Sequence, residues 1–240
     1  MELAGYSQIA PASLYTSSSV KQAALGQLFQ TADGRKFRYA KAGGTALVVG
    51  NLLQTAATST DFSSMAVQAA AAVGSKTISI TLGSTATTAN LFDGGMLVIS
   101  KVGGIGQSFT IRSHEVAASG TCAFEVEEEV RVALTTSSKA TVVKNPYDAV
   151  IVHPTTSTGK SVGVAVYPIA AGEYGWIQTG GLGAALGDAT ASAAAAQGLS
   201  PSTTTAGCVT KAVTLDERVG TSIYVASVSA EVQPLWLEID

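Results

Sequence analysis

Apolar and polar residues in this chain recur most often with a period of two. In residues 36–41, Phe37 and Tyr39 share one face while Lys36 and Arg38 take the other, the pattern of a half-buried strand. Residues 76–82 repeat it more cleanly, with Ile78, Ile80 and Leu82 inward and Thr77, Ser79 and Thr81 outward. Further strands are predicted at 96–102, 108–112, 122–126, 141–144, 149–153, 161–167, 174–178, 207–214, 221–230 and 235–239, with a short apolar run at 46–49. Turn signals such as Asp33-Gly34, Gly43-Gly44 and Gly50 separate them. Many short strands with this punctuation favour a sandwich or barrel over an alternation of strands and helices. The expected fold is all-β, a sandwich or barrel subunit with an extended N-terminal arm and at most one or two short helices.

The other segments carry weaker patterns. Residues 1–30 mix Ser and Thr with isolated Leu3, Tyr6, Ile9, Leu14 and Tyr15, which reads as an arm with at most one helical turn near 21–28. A helix is predicted over 61–73, where Asp61 can cap, alanines follow and Gly74 can close. Residues 188–205 are of low complexity and offer no apolar stripe for packing, so a surface loop is preferred there to a short helix. Residues 31–240 form the expected body. It can be one domain or two β subdomains with a soft boundary near 155–160.

Composition changes the picture toward contact surfaces. Only 13% of residues are charged, against about 25% in an ordinary soluble domain, so the surface is weakly defended against association. The net charge of −3 and scattered Lys and Arg leave no basic footprint for nucleic acid. No apolar run approaches the ~20 residues that span a bilayer. The first ten residues lack a cationic stretch leading into an apolar one, so no signal peptide is expected. Cys122 and Cys208 are then expected as reduced, buried thiols rather than a metal pair or a disulfide.

Each candidate for chemistry has a structural reading beside it. His114 and His153 end strands without a G-x-S-x-G or any other nucleophile signature. If the strand at 122–126 ran on to 130, Glu125, Glu127 and Glu129 would share a face able to hold Ca²⁺, or simply stand in solvent and guard an edge. In Gly181–Gly187 the third glycine of the dinucleotide fingerprint comes one position late and no βαβ context surrounds it. This run, Gly103-Gly104-Ile105-Gly106 and Gly159-Lys160-Ser161 all read as turns. No catalytic, cofactor or metal residue is assigned.

Two segments carry a resemblance. The first runs Gly26-Gln27-Leu28-Phe29, then from Asp33-Gly34-Arg35-Lys36-Phe37-Arg38-Tyr39 to Gly43-Gly44, with Gly50-Asn51-Leu52 after it. The second runs Val162-Gly163-Val164-Ala165, then Ala170-Ala171-Gly172-Glu173-Tyr174-Gly175-Trp176-Ile177-Gln178; Asn145-Pro146-Tyr147 lies between the two. Together they resemble virion structural proteins of tailed bacteriophages, most of all head decoration (cement) proteins. The resemblance implies a non-enzymatic β subunit, a homotrimer on the capsid surface that binds the major capsid protein, made in the host cytoplasm. It is shared by neck, tail and head-fibre subunits, which stand as alternatives. A carbohydrate-binding or carbohydrate-cleaving β protein, using residues 125–129 and Trp176, is the rival of another class. For an assembling protein, Tyr6, Ile9, Leu14 and Tyr15 on the arm and Tyr174 and Trp176 on the body are the candidate interface residues.

Overall fold

The computed structural model describes residues 11–82, 86–117, 120–188, 194–213, 216–223 and 231–240. The chain forms two compact units: one holds the chain up to Ala57 and again from Pro146, and the other is Thr58–Asn145. The first unit begins with β1 (Leu28–Gln30), β2 (Lys36–Lys41) and β3 (Leu52–Gln54). The inserted unit carries β4 (Met65–Val67), β5 (Thr77–Leu82), β6 (Met96–Lys101), β7 (Ser108–His114), β8 (Gly120–Val126) and β9 (Lys139–Val143). The first unit resumes with β10 (Ile151–Val152), β11 (Ser161–Ala165), β12 (Tyr174–Leu186), β13 (Gly198–Pro201), β14 (Val209–Lys211), β15 (Gly220–Ser222) and β16 (Val232–Glu238). The all-β expectation holds.

The inserted unit is a closed barrel of order β4-β5-β8-β7-β6-β9. Alternation fills it: Ile78 and Ile80 pair with Phe124 and Cys122, Leu97 pairs with Val142, and all six are buried. Phe92 closes the packing, edge-on to Phe62 and tilted against Phe124. Strand directions sort the loops into two ends. The chain enters through β4 and leaves through β9 at one end. The β4–β5, β6–β7 and β8–β9 connections gather at the other.

The first unit is a ten-stranded antiparallel sheet of order β10-β3-β11-β12-β16-β15-β13-β14, with β2 and β1 branching from β12. The 13-residue β12 is its hub. Residues 174–180 pair with β2, while 180–186 pair with β16. One core lies under β3, β11 and β16 (Leu52, Val164, Leu235, Leu237) and another around Ala40, Leu53, Val150 and Ile177. A third is aromatic: Phe29, Phe37, Tyr39 and Trp176 with Leu14.

Several local expectations give way to tertiary contacts. The helix predicted over 61–73 reduces to a 3₁₀ turn, Thr60–Phe62, capped by the Ser59 hydroxyl, which accepts from the Asp61 N–H. Met65 and Val67 then point into the barrel as β4, so core packing outweighs the alanine-rich propensity. Within the segment read as an arm, residues 11–30 are built into the first unit. Pro11–Tyr15 is a 3₁₀ turn, Ser18 bridges Tyr174, and β1 pairs with β2. The run 46–49 makes only an isolated bridge, Leu47 to Ile169. The loop preferred over 188–205 contains β13, whose Leu199 is buried. Residues 155–160 join β10 to β11 inside the first unit, whereas the two units divide at Ala57/Thr58 and Asn145/Pro146.

Candidate functional site

The chemical candidates are held as structure. His114 lies in the barrel with Nδ1 2.9 Å from the Glu115 carbonyl and Nε2 3.1 Å from the Phe92 N–H. A carbonyl only accepts and an amide N–H only donates, so Nδ1 carries the proton and both nitrogens are engaged. The Cys122 sulfur sits 3.7 Å from the same Nδ1. Burial pushes the thiol pKa up, which opposes formation of the thiolate a nucleophile needs. His153 is buried in the first unit, its Nδ1 donating to the Pro154 carbonyl at 2.8 Å while Nε2 has no partner. Cys208 is buried and unpaired, and burial raises its pKa too. No group of three or more His, Cys, Asp or Glu side chains converges among the described residues.

The acidic run does not form one strand face, because β8 ends at Val126. Glu125 accepts from the Thr77 hydroxyl at 2.8 Å. The Glu128 carboxylate accepts from the Thr110 N–H at 2.6 Å and its hydroxyl at 2.9 Å, and the backbone bond lowers its pKa. The run 181–187, read as a turn, lies mostly within β12, where Gly181, Gly183 and Ala185 pair with β16. Gly103–Gly106 is the expected turn between β6 and β7.

The six predicted interface residues divide. Tyr6 and Ile9 lie outside the described residues. Leu14 and Trp176 are 2% and 4% exposed and belong to the chain's own aromatic core. Trp176 meets Phe29 edge-on at 6.0 Å and Tyr39 at 5.1 Å, which leaves no ring face for a sugar or a partner. Tyr174 is half-buried, stacked on Tyr39 with Lys41 over its ring. Among the four described members, Tyr15 is the exposed one, at 45%.

Sequence reading missed a larger surface. On the outer face of the sheet Leu182 pairs with Trp236, and Trp236 with Thr221. One row further Ala184 pairs with Pro234, and then Leu186 with Val232. Leu182, Val232 and Trp236 are each about half exposed, at 53%, 50% and 50%. Ala184, Pro234 and Ile223 are exposed beside them. The Val48–Gly50 turn closes the far end, since Gly50 abuts Val232 and Leu186, and Val48 and Val49 are exposed there. At the near end Arg218 donates to Glu238 at 2.9 Å, and both bond the Thr221 hydroxyl. The legible signal was β16 itself. Leu235 and Leu237 face inward while Val232, Pro234 and Trp236 face out, and a strand apolar on both sides reads as one covered on both sides.

A second apolar cluster crowns the barrel at the end opposite the chain crossings: Val73, Val102, Ile105 and Val132. Gln107 fixes two of its loops. Its carbonyl accepts from the Arg131 and Val132 N–H groups, and its amide donates to the Val132 and Gly104 carbonyls. Val102 has φ +63°, a left-handed conformation that costs an L-residue about 1–2 kcal/mol and is unusual for a β-branched one.

Comparison with known protein families, curated proteins and solved structures finds no match for this chain. The protein is all-β, and its described residues leave two apolar faces exposed.

Proposed function

We propose that this chain is a non-enzymatic virion structural protein of a tailed phage, a decoration subunit that binds the assembled capsid surface and reinforces contacts between major capsid proteins. The supporting observation is a chain poor in charge that leaves more than one apolar surface exposed among the described residues, the crown of the barrel (Val73, Val102, Ile105, Val132) as well as the outer face of β12, β15 and β16. Monomers rarely leave a contiguous apolar patch of this kind uncovered, and such patches mark interaction sites. The resemblance of residues 26–52 and 162–178 to decoration proteins supplies the partner. A capsid repeats one binding site many times, so a homotrimer engaging several copies gains avidity that no single contact provides.

The alternative placement, on the neck, tail or a head fibre, uses the same surfaces and differs in where the subunit sits. The carbohydrate reading built on residues 125–129 and Trp176 loses its aromatic platform, because Trp176 is buried in the chain's own core. Co-sedimentation with emptied heads, followed by a map of the particle, tests the proposal. Saturable binding at repeated shell positions is expected. Absence from the shell, or density only at the neck or tail, overturns the decoration role. Removing residues 1–30 is no clean test of the arm, because Leu14 and Phe29 leave the core with it. A deletion of residues 1–10 is the appropriate variant.

A further inference from the structure

We infer that the outer face of β12, β15 and β16 is where a second copy of this chain docks, with Trp236 and Leu182 at its centre. The inference rests on the assembly reading only in taking the chain to work in several copies.

Area is the first argument. Leu182, Val232 and Trp236 are each about half open, and Ile223, Val48 and Val49 are exposed beside them, so the face offers apolar area on the order of several hundred Å², against ~800 Å² buried per partner in a standard stable interface, the core of which is ~65% apolar in homodimers. The face can therefore supply the apolar core of a permanent contact, which a transient one does not need. Charge is the second. The near rim offers Arg218 beside Glu238, already joined to each other, so neither sign dominates and no acidic or basic partner is selected. A surface with both signs at its rim and none at its centre is complementary to a copy of the same molecule.

The geometry suits such a contact. Trp236 stands at the middle of three strands, with Leu182 on one side and Thr221 on the other. Half of its surface is open, and a rigid, large side chain with that placement is the usual anchor of an interface. The inward residues of the same strands, Leu235, Leu237 and Ala185, are buried in the unit's own core, so the outer residues are spare to the fold.

Solution mass of the full chain, measured by light scattering across a wide dilution series, tests this without any capsid present. A closed oligomer is expected for the unaltered protein: a dimer if the face meets itself, a trimer if it meets another surface of the neighbour. Trp236→Ser and, separately, Val232→Lys should weaken self-association at least tenfold while near-ultraviolet circular dichroism stays unchanged. Ile105→Ser, at the barrel end, should leave the mass as it was. Fluorescence gives an independent readout. Trp176 is buried in every state, so a red shift on dilution reports Trp236 entering water. A monomeric unaltered protein, or an oligomer indifferent to both variants, overturns the inference. Head binding is read separately by sedimentation: an oligomer that ignores heads sinks the decoration reading and leaves this one standing.

Discussion

Asp240 shows how much one side chain can tie together. Its carboxylate takes two bonds from Arg38, at 2.7 and 3.0 Å, its backbone carbonyl accepts from Lys36, and Arg38 also donates to the Gly26 carbonyl. The Arg38 hydrogen bonds hold the Asp240 pKa below its ordinary value, against the opposing effect of partial burial. A carboxyl whose folded pKa is depressed stabilises the fold fully above its unfolded pKa and loses that contribution as pH falls through the folded one. The pair should therefore matter at neutral pH and fade below about pH 4. Asp240→Asn is expected to cost about 0.5–1 kcal/mol at pH 7, as for other partly exposed pairs. The difference from the unaltered protein should shrink progressively in urea titrations repeated at falling pH below about 4. A difference independent of pH would mean that packing, not charge, holds this corner.

At the scale of the element, β12 decides the architecture of the first unit, and it does so through glycines. Gly181 has φ +81°, and a side chain there would meet the Arg35 Cα at 3.0 Å and the Gly34 carbonyl at 3.1 Å. Gly172, on the turn before β12, has a similar φ of +76° with open space around it. Gly172→Ala should cost about 1 kcal/mol from backbone strain alone. Gly181→Ala should cost at least about 2 kcal/mol, because the adjoining backbone must also shift. Denaturant midpoints of the two variants check the contrast.

The same strand marks where the sequence stops being legible. Residues 36–41, 76–82, 96–102 and 122–126 could be read because alternation puts their apolar side chains on one face, and each is a strand within a residue or two at either end. The glycine run of β12 has no side chains to alternate, so it reads as a turn although long-range pairing makes it a strand. β4 was hidden by alanines, β13 by Ser and Thr around one buried Leu199. Of the candidate interface residues, Trp176 was chosen for its type, which cannot distinguish a core indole from an exposed one. Trp236 had the telling context in its doubly apolar strand.

At the scale of the whole molecule, the inserted barrel is self-sufficient. Its ring of strands is closed and its core draws only on residues 65–142, with Phe62 and Leu91 packed against it. Expressed alone, Thr58–Asn145 is expected to melt in one cooperative transition with a β-type circular dichroism spectrum. A gradual, non-cooperative melt would show that the unit depends on the rest of the chain. The barrel's apolar crown, clamped by Gln107 and carrying Val102 at positive φ, is retained in that fragment.

The barrel's two crossings at one end have a consequence for the order of events during synthesis. β1 to β3 are made before the barrel, and β10 to β16 after it, so the first unit cannot close its sheet until its late strands emerge. The barrel can fold as soon as β9 has been made, as domains generally do in order of synthesis. Closing a loop of ~90 residues costs about 2 kcal/mol more than closing one of ~10. A barrel already folded delivers Ala57 and Pro146 to the same end of a small body and removes most of that difference. The insertion thus acts as a clasp in time, holding early strands near the place where their late partners will arrive.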